Sequence, residues 1–218
     1  FWLSENPSEV SIGWDAALER ICTYAQLETL NGNNKIWIFN THFDHFGKMA
    51  REQSAKLLIK KIRNINTDGE PTVVMGDFNA LDNSKVIEVL KKEFKDSMEI
   101  SEKMHNGPIG TFNNFLPKQE ITKRIDYIFI YGMKIVSHEH VNKKLENGNH
   151  ISDHLPVVTK MKVSKWKLFI NYEKTSVLYY IDSYLKFWEQ EIMTEHASDI
   201  LIIIDFISIG LSAWYSLK

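Results

Sequence analysis

The chain has 218 residues, of which 44% are hydrophobic and 12% aromatic, and this is enough apolar material for one or two domains with a core. A formal net charge of −2 provides no whole-chain attraction to nucleic acid or to an anionic membrane, so any phosphate binding must be local. The single cysteine, Cys22, excludes an internal disulfide and a zinc site built on paired cysteines.

The first residues carry no targeting signal. The chain begins Phe1-Trp2-Leu3-Ser4, without Met, a basic segment or an apolar segment. We therefore expect the natural N-terminus to lie upstream, which leaves localisation open. Residues 1–15 lack hydrophobic periodicity and are predicted to form a loop.

Hydrophobic patterns from residue 21 onward predict strands and helices in alternation. Residues 21–27 fit either element, and as a strand they would form a hairpin with the clear strand at 36–41. The next predicted elements are a helix with one buried face at 49–63, a strand at 72–75 and a helix capped by Asn83 or Ser84.

The second half of the chain is rich in predicted strands. Strands at 124–130, 134–141 and 155–163 follow one another without an intervening helix. Strands connected in this way pair antiparallel, whereas the strand–helix–strand order of the first half favours a parallel pair. The sequence therefore predicts an α/β fold with mixed sheets.

Polar side chains gather where these predicted strands begin or end. The candidate site residues are His42, Asp77, Asn79, Asp126, Asp153 and His154. Carboxylates, an amide and imidazoles in one place suit hydrolysis of a phosphate ester with a hard divalent cation. A zinc site made of His42, His45 and His154 is the less favoured alternative, because Asp and Asn outnumber His in these clusters.

Each candidate also has a structural explanation. Asp77 and Asn79 could simply stabilise a turn by bonding to nearby backbone amides, Asp126 could pair with Arg124 or Lys123, and His154 could cap a loop. We expect Asp44 to order its own loop. The remaining histidines match no motif and are expected at the surface or in the core: His45, His105, His138, His140 and His150.

Four segments together resemble the endonuclease/exonuclease/phosphatase superfamily. They are Asn40-Thr41-His42-Phe43-Asp44, Gly76-Asp77-Phe78-Asn79, Arg124-Ile125-Asp126-Tyr127 and Ser152-Asp153-His154-Leu155-Pro156. They occur in family order within residues 1–163. The resemblance implies that this region is the C-terminal half of a four-layered α/β sandwich, in which helices flank two mixed sheets, truncated at its N-terminus.

The resemblance also implies a metal-dependent phosphoesterase and a role for each candidate. His154 would be the general base, or the partner of the attacking water, and Asp126 would pair with its other ring nitrogen. Asp77 would orient the nucleophile or act as the acid, and Asn79 would hold Asp77 and the phosphate. His42 would donate to a phosphoryl oxygen. Asp153 would bind the metal, Mg²⁺ with Mn²⁺ as the alternative.

The N-terminal motifs of the family are not present in this sequence. Family members carry an Asn at the end of their first strand and then a Glu, both principal metal-site residues, and neither precedes Phe1. Glu5 and Asn6 lie in a segment that resembles the family loop after that Glu, so they are no substitutes. We expect these 218 residues alone to bind Mg²⁺ weakly and to hydrolyse little. The alternative function is a non-catalytic remnant of such an enzyme.

The resemblance leaves the substrate open among DNA, RNA, phosphoinositides, sphingomyelin and small phosphate esters. The sequence shows no basic groove, which favours a small molecule or a lipid headgroup over nucleic acid. The oligomeric state is not predicted.

Residues 164–218 extend beyond the predicted domain. Within them, 200–217 are apolar with Asp205 as the only charge, and a charge so near the middle argues against a membrane span. We favour a poorly constrained extension over a membrane anchor. A helix that folds back onto the domain is the third interpretation.

Overall fold

The computed structural model describes residues 1–28 and 35–162 and the backbone of residues 199–204. The elements in chain order are β1 (Cys22–Glu28), β2 (Lys35–His42), α1 (Lys48–Ile65), β3 (Thr72–Asp77), α2 (Lys85–Lys91), β4 (Lys95–Asp96), β5 (Asp126–Tyr131), β6 (Lys134–His140), β7 (Val157–Lys162) and β8 (Asp199–Ile204). The fold is mixed α/β, as the sequence predicts.

The first sheet has five strands in the order β1-β2-β3-β5-β4. β1 and β2 pair antiparallel, which confirms the predicted hairpin. β2 and β3 are parallel and are connected through α1, because parallel neighbours require a crossover. β5 pairs antiparallel with both β3 and β4, so the sheet is mixed.

The second sheet has the order β6-β7-β8, and both pairs are antiparallel. β8 comes from the C-terminal extension, and residues 199–204 are therefore a strand, in contrast to the helix considered for this region. The other residues of 163–218, including most of 200–217, lie outside the described part of the chain. No helix among the described residues is long and apolar enough to cross a membrane.

The first sheet lies between the helices and the second sheet, so its central strands β3 and β5 are buried on both faces, whereas β1 at its edge is mostly exposed. Neighbouring residues of β3 show this: Val74 belongs to the hydrophobic cluster that includes Leu58 of α1, whereas Val73 belongs to the cluster that includes Met161 of β7. The described residues thus form three layers, with helices on one sheet and a second sheet on the opposite face.

Two side chains fix the beginnings of the helices. Ser84 caps α2, as predicted, because its Oγ accepts a hydrogen bond from the backbone N–H of Ile87 at 3.4 Å. The N-cap residue of α1, Gly47, has no side chain that could cap the helix. Instead the Asp15 carboxylate accepts hydrogen bonds from the N–H groups of Met49 at 3.2 Å and Ala50 at 2.6 Å. The N-terminal loop therefore holds the start of the helix that follows β2.

Candidate active site

Three of the candidate residues lie side by side on neighbouring strands of the first sheet. His42 at the end of β2 is the register partner of Asp77 at the end of β3, and Asp77 is the register partner of Asp126 at the start of β5. The parallel pair ends at the edge of the sheet where the antiparallel strand begins. Sheet register alone thus brings together residues that are up to 84 positions apart, since 126 − 42 is 84.

Asp126 and His154 form a buried hydrogen-bonded pair. The His154 ring donates from Nδ1 to Asp126 Oδ2 at 2.8 Å, and both side chains are at least nine-tenths buried. The hydroxyl of Thr111 donates to the same Oδ2 at 2.5 Å. Because a carboxylate only accepts, the proton of a neutral His154 is fixed on Nδ1, and Nε2 is the atom that can accept one.

The surrounding charges determine the protonation of His154. Burial alone would lower the pKa of this imidazole, but the hydrogen bond and the charge of Asp126, with the charges of Asp77 and Asp153, raise it to about 9. In the absence of a cation, His154 is therefore protonated at neutral pH.

Asp77 is held by the loop that follows β3. The N–H of Asn79 donates to Asp77 Oδ1 at 2.8 Å, and Asp77 Oδ2 lies 3.3 Å from Nε2 of His42. Asn79 has a left-handed backbone (φ 47°), and its side-chain amide donates to the carbonyl oxygen of Phe43 at 3.0 Å. Burial, followed by repulsion from the Asp126 carboxylate, raises the pKa of Asp77.

The chemistry of the donor atoms suits a cation. One ligand atom from each of Asp77, Asp126 and His154 lies within 4.8 Å of the others. The half-buried Asp153 is not one of this group; its Oδ1 accepts a hydrogen bond from Ser152 at 3.1 Å, and its negative charge contributes to the raised pKa of His154. Two carboxylates beside one imidazole are a hard, oxygen-rich donor set.

The structure also places the other residues considered from the sequence. Asp44 orders the loop after β2, because its Oδ1 accepts from the N–H groups of Phe46 at 2.9 Å and Gly47 at 2.7 Å. Burial opposes ionisation of Asp44, but these amides and the N–H of Ala17 outweigh it and lower its pKa to about 2.

The described residues form neither the three-histidine zinc site nor the ion pair between Arg124 and Asp126 that the sequence left open. His45 is exposed, and its Nδ1 lies 3.1 Å from the Arg20 guanidinium, so it does not join His42 and His154 in a three-histidine zinc site. Arg124 donates to Asp96 at 2.6 Å and reaches Asp82 at 3.3 Å, so its ion pairs lie away from Asp126.

Two residues that contact the pair are missed by the sequence reasoning. Thr111 donates to Asp126, and the Phe112 ring packs edge-on against His154 with 5.0 Å between ring centroids. Both lie in the segment Gly110-Thr111-Phe112, whose only sequence signal is a glycine before a β-branched and an aromatic residue. Long-range packing of this kind leaves no periodic pattern.

The chain is similar to a known protein family and to individual proteins from a virus and a yeast. The Endonuclease/Exonuclease/phosphatase family matches residues 10–154. Uncharacterized protein L388 of Acanthamoeba polyphaga mimivirus is 27% identical in an alignment of 175 positions that covers 72% of this chain and 62% of that protein. The CCR4-Not complex 3'-5'-exoribonuclease subunit Ccr4 of Kluyveromyces lactis is 26% identical in an alignment of 191 positions that covers 67% of this chain and 24% of that protein.

A solved structure shares the fold at a higher identity. The mannosyl-6-phosphatase Bt3783 of Bacteroides thetaiotaomicron VPI-5482 is 31% identical, with a TM-score of 0.69 over 75% of this chain and 64% of that one. The chain thus spans 62% of the length of the mimivirus protein and 64% of the length of the phosphatase.

Proposed function

The chain belongs to the endonuclease/exonuclease/phosphatase family, and we propose that its site hydrolyses a phosphate ester with the help of a divalent cation. The observation that carries the proposal is the buried hydrogen-bonded pair of Asp126 and His154, with Asp77 as the cross-strand neighbour of Asp126. Relatives named as a phosphatase and as an exoribonuclease support hydrolysis of phosphate esters as the reaction class.

His154 and Asp126 would activate the attacking water. Nε2 of His154 takes the proton from the water as its oxygen attacks phosphorus, and the imidazolium that forms is stabilised by Asp126 across the 2.8 Å hydrogen bond. Thr111 keeps Asp126 in place through its own hydrogen bond, so the carboxylate does not rotate away when the ring becomes charged.

Asp77, Asn79 and His42 would act on the phosphate. The raised pKa of Asp77 allows its carboxyl group to carry a proton, which it gives to the leaving oxygen as the bond to phosphorus breaks. His42 lies 3.3 Å from Asp77 and donates to a phosphoryl oxygen. Asn79 fixes Asp77 through its backbone N–H, and it would orient the phosphate with the second N–H of its side-chain amide, since the first donates to the Phe43 carbonyl.

Asp153 would hold the cation, with Mg²⁺ expected and Mn²⁺ as the alternative, because carboxylate oxygens are the ligands these ions prefer. A bound divalent cation supplies positive charge that offsets the phosphate and brings the pKa of His154 down towards neutrality. The family resemblance implies an Asn and a Glu as further ligands of the cation.

The substrate proposed for this site is a small phosphate ester or a lipid headgroup. The net charge of −2 gives the chain no overall attraction to a polyanion, and a mannosyl-6-phosphatase is among the solved structures with its fold. The candidate from a different class is a non-catalytic protein that retains these side chains and binds phosphate groups without hydrolysis.

Replacement of Asp126 by Asn tests the catalytic pair. We expect Asp126→Asn to lower kcat by about 100-fold or more with little change in KM, because the pair acts on the proton transfer and leaves substrate binding to other groups. The measurement is steady-state hydrolysis of a phosphate ester with Mg²⁺, in whichever form hydrolyses, the 218-residue chain or a version extended at its N-terminus.

Asp68→Asn is the matched control, because it makes the same chemical change at an exposed turn. It should leave kcat and KM unchanged. An unchanged kcat in Asp126→Asn would remove the basis of the proposal, and phosphate binding without hydrolysis in either form would favour the non-catalytic candidate.

A further inference from the structure

A second cluster of metal-ligating side chains lies on the other sheet. His138 and His140 alternate on β6 and therefore share one face, and both are buried. His105 comes from the segment before Gly110 and lies against them, with ring centroids 5.2 Å from His138 and 4.5 Å from His140. One ring nitrogen from each of the three lies within 4.8 Å of the others.

We propose that His105, His138 and His140 form a metal site, separate from the hydrolytic one, that binds Zn²⁺ through three imidazole nitrogens. Neutral imidazole is a preferred ligand of Zn²⁺, and three protein ligands with one further position are a common zinc arrangement. Nothing in the proposed hydrolysis uses these residues.

The hydrogen bonds around the cluster orient two of its rings as in zinc sites. The carbonyl oxygen of Pro108 accepts from Nε2 of His105 at 3.0 Å and from Nδ1 of His140 at 2.8 Å. A carbonyl oxygen has no proton to give, so each of these nitrogens carries the ring proton. The lone pairs of the neutral rings are thereby fixed on Nδ1 of His105 and Nε2 of His140. A backbone carbonyl that accepts from the outer nitrogen is typical of metal-bound histidine.

The spacing of the inner nitrogens also fits. Nδ1 of His105 and Nδ1 of His138 lie 3.2 Å apart. Two nitrogens bound to one tetrahedral Zn²⁺ at about 2.0–2.1 Å lie roughly 3.3 Å from each other. One pair of ligand atoms therefore already has the separation that a shared ion imposes.

Hydrogen bonding alone does not satisfy the cluster. In the absence of an ion, Nδ1 of His138 can donate to Nδ1 of His105, but the third ligand atom, Nε2 of His140, is buried and has no hydrogen-bond partner among the described residues. Buried polar atoms normally have a partner, and a cation bound to the three inner nitrogens would give this lone pair one.

The electrostatic environment keeps the rings neutral. Burial, together with the neighbouring histidines and Arg124, lowers the pKa of His138 to about 2. Burial likewise lowers the pKa of His140 to about 3, although the carbonyls of Pro108 and Gly110 oppose this. Arg124 is itself paired with Asp96 at 2.6 Å, so its charge is offset beside the cluster.

The proposed site would attach a loop to the second sheet and support the active site. Asn106 lies beside β6, with its N–H bonded to the carbonyl of His138, and Gly107 approaches His140 so closely that a β-carbon would collide with the His140 carbonyl. The same segment continues into Thr111, which holds Asp126. Zinc would therefore fix the segment that positions the proposed catalytic carboxylate.

Zinc titration of the chain tests the proposal. After treatment with EDTA and removal of the chelator, Zn²⁺ is added in competition with a chromophoric chelator, and Co²⁺ serves as a spectroscopic probe of four-coordinate geometry. We expect one Zn²⁺ per chain at this site and a higher Tm with zinc. His105→Gln, at a half-buried loop position, should weaken the affinity by more than about 100-fold, since loss of an outer hydrogen bond alone costs about 10–100-fold.

Two control variants separate this site from others. His45→Gln removes an exposed imidazole, and Asp153→Asn removes the proposed ligand of the hydrolytic cation; both should retain zinc affinity. X-ray absorption of the zinc-loaded wild type should show imidazole nitrogens at about 2.0–2.1 Å. Absence of zinc binding in the wild type, or loss of zinc in Asp153→Asn with retention in His105→Gln, would overturn the proposal.

Discussion

Asp126 is the residue on which the proposed chemistry depends most. One of its oxygens accepts hydrogen bonds from both Thr111 and His154, at 2.5 Å and 2.8 Å. Two donors on one oxygen fix the plane of the carboxylate and the tautomer of the ring together. The cost is a cluster of negative charge, because Asp77 is the cross-strand partner of Asp126.

This negative charge makes the stability of the metal-free protein depend on pH. We expect His154 to titrate near pH 9, above its unfolded value of about 6.5. The folded state then binds the proton more tightly, so the stabilisation is complete below about pH 6.5 and is lost as the pH rises through about 9. A difference of this size corresponds to about 3 kcal/mol in the free energy of unfolding. Asp77, whose pKa is also raised, adds a loss of the same sign at lower pH.

NMR titration of the His154 ring in EDTA measures the pKa, and urea unfolding at about pH 6 and about pH 9 measures the stability. Asp126→Asn serves as the control, because it removes the main interaction that raises the pKa of His154. A wild-type midpoint at or below about 6.5 would be incompatible with the charge arrangement described here.

Some candidate site residues can be recognised from the sequence and others cannot. His42, Asp77, Asn79, Asp126, Asp153 and His154 stand out because they flank short apolar runs, and the structure places His42, Asp77 and Asp126 in one row. Thr111 and the His105–His138–His140 cluster did not stand out. Their contacts depend on how a long loop packs between two sheets, and such packing has no local signature in the sequence.

Among the contacts between elements, the pairing of β2 with β3 leaves the least space for a side chain. Gly76 has φ 138°, and a β-carbon there would collide with the carbonyl oxygen of Thr41. Its neighbour Asp77 is aligned with His42 by this same strand pair. The glycine therefore lets the strands approach closely where the site begins.

Gly76→Ala tests this contact. We expect it to lower the free energy of unfolding by more than about 2 kcal/mol, because the strained φ and the backbone collision act together. Gly69→Ala is the matched control: Gly69 also has a positive φ, 67°, but has open space around it, so its cost should be about 1 kcal/mol. Urea unfolding measures both, and equal losses would contradict the collision argument.

The predictability of the elements follows their length. α1 and the strands β2, β3, β5, β6 and β7 have clear periodic patterns, and their predicted positions agree with the structure within a few residues. β4 has only two residues, too few for any period to show. β8 pairs with β7 across a large sequence separation, and its apolar residues fit a strand as well as a helix.

For the whole molecule, the sandwich arrangement explains why the site lies where it does. The first sheet packs against helices on one face and the second sheet on the other, so the described side chains of its centre are apolar and polar residues collect at its edge. The second sheet brings His154 to that edge, just before β7. The proposed hydrolytic site therefore combines residues of the first sheet with residues from the loops beside both sheets, and loops are where functional residues commonly lie.

The most direct test of the central claim, metal-dependent hydrolysis at this site, is an assay of phosphate monoesters, phosphodiesters and RNA with Mg²⁺ and with EDTA. It should be run on the 218-residue chain and on a version extended at its N-terminus, each with Asp77→Ala as the inactive variant. We expect hydrolysis in at least one version that EDTA abolishes and that Asp77→Ala lowers by about 100-fold or more. Hydrolysis in neither version, or hydrolysis that survives both EDTA and Asp77→Ala, would contradict it.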